Sequence, residues 1–195
     1  TSLKQTTEVN WEDKYIDAEE VACIVPIPEA VLDDATYDIW AEVRPAIEAA
    51  FGKAIDAAVF YGTNIPSTWT TNLGAPGIVA RCTAASHTIS LAAYADLYEA
   101  MLGETAGGTD GLLMMLEEDG FIASGHVASV SLRGKIRNTR DANGAPIWPN
   151  VNEIDGAPVL YPTNGAIDAS TALDIPGDWT QLLYAIRSQF LPKQR

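Results

Sequence analysis

The groups in this sequence best suited to nucleophilic or metal chemistry are two histidines, His87 and His126, and two cysteines, Cys23 and Cys82. A zinc site needs such ligands at short, repeated spacings, and neither histidine stands at such a spacing from the other or from a cysteine. Ser124 lies close to His126, but no G-x-S-x-G elbow surrounds it to expose a serine nucleophile. Both histidines therefore read as structural or solvent-facing groups. Gly103-Glu104-Thr105-Ala106-Gly107-Gly108-Thr109 has the glycine content of a phosphate-binding loop but no lysine. It also follows a helical pattern where such a loop follows a strand, so it reads as a flexible turn. The acidic pairs and triplets, Asp33-Asp34 and Glu117-Glu118-Asp119, could attract a divalent cation. The first is explained more simply as negative charge at a helix start; the second sits near a helix end, where negative charge is electrostatically unhelpful. Asp141-x-Asn143 begins like a calcium loop but lacks the later ligands and the correctly placed glycine. The residues thus predict no catalytic, cofactor-binding or metal constellation, and a protein that is not an enzyme.

The elements that would have to position any site are dominated by one stretch, Val21–Gly62. Val21-Ala22-Cys23-Ile24-Val25 is a short apolar run with β-branched residues and predicts a buried strand, stopped by Pro26. Pro28 suits a first helical position, and Glu29, Asp33 and Asp34 place negative charge ahead of a helix, with Thr36 or Asp34 able to cap it. From Tyr37 the apolar positions Ile39, Val43, Ile47, Phe51, Ile55 and Val59 recur at helical period, and Gly62 ends them. This predicts a rod of about 40 Å at ~1.5 Å per residue, kinked or split near Pro45, and packed against a sheet through Ile39, Val43, Ile47, Phe51 and Ile55.

The rest of the chain reads as a mixed body. Residues 63–76 form a Thr, Asn, Gly and Pro-rich connection and a domain boundary. Ile78-Val79-Ala80 predicts a short strand. Ser90 predicts the cap of a helix over Leu91–Leu102, with Tyr94, Leu97, Tyr98 and Met101 on one face and Gly103 as stop. Thr109-Asp110 opens a second helix through Leu112, Leu113 and Leu116, closed by Gly120. Ala128, Val130 and Leu132 alternate with polar residues as in a half-buried strand. Asp141-Ala142-Asn143-Gly144 is a turn signal followed by Pro146. Val159-Leu160-Tyr161 predicts a further strand, and Asp178–Phe190 closes the chain with apolar residues at mixed spacing.

Length and composition narrow the function classes. A chain of 195 residues suits one large domain or two small ones. With 47% hydrophobic residues it can bury a substantial core and is not a disordered chain. A formal charge of −14 opposes direct, specific nucleic-acid binding, though not the enclosure of nucleic acid. No apolar run is long enough to span a bilayer, so no membrane partner is expected. Two isolated cysteines suit a reducing compartment better than a disulfide framework.

The order of segments resembles the major capsid protein of tailed bacteriophages or prophages, the Hong Kong 97-like fold. Val21–Asp34 looks like the stretch leading into that family's spine helix, and Tyr37–Gly62 like the spine itself. His126–Trp148 is similar to its strand, helix and D-x-N-G turn. Asp155-Gly156-Ala157-Pro158-Val159 and Gly177-Asp178-Trp179 resemble its G-x-P-V strand and later G-D-aromatic step. The resemblance implies an α+β, two-lobed fold with a long spine helix, a narrow peripheral sheet and a mixed axial lobe. The lobes would divide as residues 1–73 (peripheral, with the helix at about 36–62), 74–170 (axial) and 171–195 (a return segment). It implies a structural function, identical copies tiling as hexamers and pentamers into an icosahedral shell. Portal and scaffolding or protease proteins would be further partners, the virion its location and the host cytoplasm its place before assembly. The residues expected at a subunit contact are Asp141, Asn143, Gly144 and Trp148, on an exposed loop over 141–153 directed toward the capsomer centre. Only residues 1–20 precede the first expected strand, where the family carries a long arm and an extended loop, so a truncated fragment is expected. Such a fragment would form monomers or small oligomers rather than closed shells. The alternatives are a bacterial protein-cage shell of the same fold and a cytosolic hydrolase on an unfamiliar α+β scaffold.

Overall fold

A computed structural model describes residues 18–29, 38–69, 76–104 and 110–186. The long helix, α1, runs Ile39–Tyr61. Asp38 is its cap: the carboxylate accepts the N–H groups of Trp40 at 2.9 Å and Ala41 at 3.3 Å, two of the donors a helix start leaves unpaired. The cap is therefore Asp38 and not Thr36 or Asp34, which lie outside the described residues. Pro45 is tolerated inside a continuous helix. Gly62 stops it in the left-handed region at φ 67°, and its N–H closes back on Ala58.

α1 buries less of its predicted stripe than expected. Ile47 and Phe60 are its buried side chains, whereas Ile55 is 49% exposed. Its main helical partner is α2, Gly77–Ala84. Ile78-Val79-Ala80 thus lies in a helix, not in the strand its β-branched run predicts; a run this short carries no period of its own, and docking on α1 decides its state. The two helices meet at backbone distance, since a Cβ on Gly77 would lie 2.4 Å from the Gly62 nitrogen.

The sheet has strand order β2-β3-β1-β4, where β1 is Gly125–Ala128, β2 Glu153–Ile154, β3 Ala157–Leu160 and β4 Asp174–Gly177. β1 pairs in parallel with β3, placing His126 against Val159, and antiparallel with β4, placing His126 against Pro176 and Ala128 against Asp174. All four residues of β1 are buried, as a central strand covered on both faces requires. The chain passes from β1 to the parallel β3 through α5, Leu132–Asn138. Leu132 accordingly opens a helix and does not continue the strand. The predicted alternation ends at Ala128, and Val130 is 48% exposed.

Successive residues of β1 face opposite ways, so the sheet separates two apolar clusters. Ala128 joins Leu132, Ile136, Ile154 and Val159 on one face, with Leu97 of α3 (Leu97–Leu102) and Leu113 of α4 (Leu112–Glu118). Val127 joins Ile175 and Phe60 on the other, with Tyr61 and Trp179 at the edge. The single helix predicted over Leu91–Leu102 is instead a 3₁₀ turn, Leu91–Ala93, followed by α3. Asp96 interrupts it, because its side chain accepts the Glu99 N–H and starts a new helix there.

The connection from β3 to β4 is clipped onto α1. Asn164 donates to Asp56 at 2.6 Å, and the Tyr61 hydroxyl accepts the Asp168 N–H at 3.0 Å. Burial, reinforced by the Asp168 charge and partly opposed by its backbone hydrogen bond, pushes the Tyr61 phenol above its ordinary value. The segment 21–25, predicted as a buried strand, has no regular secondary structure and no sheet partners among the described residues. Val21 is 56% and Ile24 93% exposed. An apolar run becomes a strand only where a neighbouring strand takes its N–H and C=O groups.

Candidate functional site

Asp141, Asn143 and Gly144 come together in one exposed turn that a single carboxylate organises. Asp141 Oδ1 accepts the N–H groups of Asn143 at 2.9 Å and Ala145 at 2.7 Å. The Gly144 N–H donates to the Asp141 carbonyl at 3.0 Å, and the Asp141 N–H donates to the Ala145 carbonyl at 2.9 Å. Gly144 takes φ 84°, which glycine supplies without steric cost. Below the turn, Arg140 bridges to Pro146. The local chemistry of D-x-N-G therefore produces an exposed turn.

Trp148 does not share that tip. It is half-buried, packs on the cluster around Leu132 and Ile136, and stacks tilted on Tyr98 with ring centroids 5.9 Å apart. The loop is exposed at its turn, but this ring fastens the loop to the cluster beneath it. An isolated aromatic beside prolines cannot reveal in sequence which way its ring will fall.

The structure also joins two residues that sequence spacing keeps apart. His126 Nδ1 lies 2.8 Å from Asp174 Oδ2, with the two side chains 0% and 2% exposed. Ala128 is the register partner of Asp174, so His126 and Asp174 are diagonal neighbours on one face of the sheet. A buried His–Asp pair is part of the constellation that activates a serine, but His126 Nε2 has no hydrogen-bond partner among the described residues. Ser124, the nearby hydroxyl in sequence, instead accepts the Trp179 N–H at 2.9 Å. Beside His126 lies a small, partly open pocket of about 20 Å³ lined by Leu113, Glu117, Ile122, Ala123, Ile154 and Asp155, roughly the room of one water. The pair ties β1 to β4.

His87 approaches Asp119 at 3.5 Å in an exposed ion-pair geometry, which explains one of the carboxylates at the acidic end of α4. Cys23 is exposed and Cys82 partly buried; burial pushes the Cys82 thiol up, and the neighbouring Arg81 offsets part of this. Among the described residues no three histidine, cysteine, aspartate or glutamate side chains gather as metal ligands. Asp33-Asp34 and residues 105–109 lie outside the described residues. No described helix is long and apolar enough to cross a membrane.

A long capped helix, a four-stranded mixed sheet covered on both faces and an exposed D-x-N-G turn are the features available for comparison with known proteins. A solved chain from Microbacterium phage Oxtober96 superposes with a TM-score of 0.67 at 32% identity, covering 79% of this chain and 49% of its own. One from Mycobacterium phage Cain gives 0.65 at 30% identity, covering 82% and 49%, and one from Mycobacterium phage Adephagia 0.63 at 28%, with the same coverage. This chain thus spans about half the length of the solved structures it matches. No curated protein matches its sequence. The sequence model of the phage capsid family matches residues 2–192, nearly the whole chain, and with the shared fold this places the chain in the phage capsid family.

Proposed function

We propose that this chain is the subunit, or part of the subunit, of an icosahedral shell that encloses a phage or prophage genome. The family match over residues 2–192 carries this reading. The charge of −14 agrees with it, because a container gains nothing by gripping its cargo. Copies of the chain are its first partners, arranged as rings that close by rotation into hexamers and pentamers. Portal, scaffolding and protease proteins act on the same shell. The chain works in the virion after passing through the host cytoplasm, and its role is structural, not enzymatic. Residues 1–73 form a peripheral lobe, 74–170 an axial lobe and 171–195 a return segment. Within the axial lobe the turn at Asp141, Asn143 and Gly144 meets neighbouring copies near the ring centre, with Trp148 setting the angle of its base.

Sedimentation and electron microscopy of the purified chain at rising concentration test this reading. Small oligomers up to ring size, not closed shells, are expected, growing with ionic strength, and Ala142→Arg at the turn tip should weaken that association without changing the circular dichroism spectrum. Uniform closed particles from this chain alone would overturn the expectation of a fragment, and oligomers that dissociate as salt rises would count against the shell-subunit reading. A variant that assembles like the parent would remove the turn from the contact.

A further inference from the structure

Asn143-Gly144 is the pair of residue types in which an asparagine side chain is attacked most readily by its own backbone, because glycine places no side chain in the way. Here the pair is exposed at a turn tip, and a Cβ built on Gly144 would meet nothing within 4 Å. Packing therefore does not shield it. What restrains it is the hydrogen bonding already described. The attacking atom, the Gly144 nitrogen, holds its proton against the Asp141 carbonyl at 3.0 Å. The Asp141 carboxylate fixes the peptides on either side through the Asn143 and Ala145 N–H groups.

We infer that Asn143 is a site of spontaneous deamidation, and that Asp141 is the positioning residue that holds the reaction back. In the reaction the Gly144 nitrogen gives up its proton to a solvent base and bonds to Asn143 Cγ. The Cγ–Nδ2 bond breaks, and the nitrogen takes up a proton and leaves as ammonia. Water then opens the five-membered ring at either carbonyl, leaving aspartate or a β-linked isoaspartate. No oxidant or reductant is needed. The product adds a negative charge to the turn, and the isoaspartate form inserts an extra backbone carbon into it. Cyclisation requires the Gly144 N–H to leave the Asp141 carbonyl and the Asn143 side chain to swing over the freed nitrogen. Loosening the turn is therefore the step that limits it.

The test is peptide mapping of the full chain after incubation at mildly alkaline pH, reading the mass gain and the isoaspartate content at Asn143. Asp141→Ala removes both carboxylate hydrogen bonds and should deamidate faster than the parent by roughly 5- to 100-fold, the effect of two ordinary hydrogen bonds on a rate. Asp141→Asn keeps an acceptor oxygen and should retain most of the protection, which separates hydrogen bonding from loss of charge. Asn143→Gln should lose the modification at this position, because the larger ring closes poorly. Parent protein unfolded in urea supplies the unprotected rate without any mutation. Equal rates in the folded and unfolded parent, or an unchanged rate in Asp141→Ala, would overturn the inference.

Discussion

Replacing Phe60 with alanine tests where α1 is fastened. Phe60 is 9% exposed, contacts the cluster of Val127 and Ile175, and meets Trp179 edge-on with ring centroids 6.0 Å apart. Truncating a buried phenylalanine costs about 3–5 kcal/mol, of which the ring geometry accounts for ~0.5–1.5 kcal/mol. Phe51 stands on the same helix but is only half-buried. Full burial of such a side chain stabilises by ~1.5–3 kcal/mol, so Phe51→Ala should cost about 1–2 kcal/mol. Urea unfolding followed by tryptophan fluorescence and circular dichroism measures both. With a slope of ~1–3 kcal/mol/M, Phe60→Ala should lower the midpoint by about 1–5 M and Phe51→Ala by clearly less. The slope itself should stay unchanged. If Phe51→Ala proves as costly as Phe60→Ala, α1 is held along its predicted stripe and not at its C-terminal end, and the reasoning fails.

Asp38→Ala removes the acceptor for the Trp40 and Ala41 N–H groups and should cost ~0.5–2 kcal/mol in the same titration. Gly62→Ala should destabilise by more than about 1 kcal/mol, seen as a lower melting temperature. Its φ is 67°, and the new Cβ would lie 2.5 Å from the Pro76 Cβ. The Asp168 carboxyl is held below its ordinary value by the Ser170 N–H and by the Ser170 and Thr171 hydroxyls. A lowered folded-state pKa contributes stability above the ordinary aspartate value and loses it as pH falls through the folded one. Asp168→Asn should therefore show a shallower loss of stability on acidification in pH-stepped unfolding; an unchanged acid limb would remove Asp168 from the account. With a charge of −14, self-association measured by light scattering should rise with ionic strength, and a fall would show that attraction between unlike charges drives it.

Several features were decided by residues acting on their immediate neighbours, and these were legible from the sequence. Gly62 stops α1 because only a residue without Cβ accepts that φ cheaply, whatever packs nearby. Asp141 and Gly144 build their turn from hydrogen bonds spanning at most four residues. The order of segments was enough to point to the phage capsid family, because topology is carried by that order. Tertiary structure decided the rest. Val21–Val25 and Ile78–Ala80 are similar short apolar runs, yet one is irregular and exposed and the other lies in a helix against α1. Neither is long enough to outweigh what its surroundings offer. The stripe on α1 announced a buried face but not which part is covered, since coverage depends on where the sheet and α2 lie. His126 and Asp174 are 48 residues apart, and only the register of β1 against β4 sets them side by side. Trp148 turns inward because Tyr98 is there to receive it. Spacing along the chain specifies which groups share a local element; the partner each one meets is set by strand pairing and helix docking, which depend on the whole chain at once.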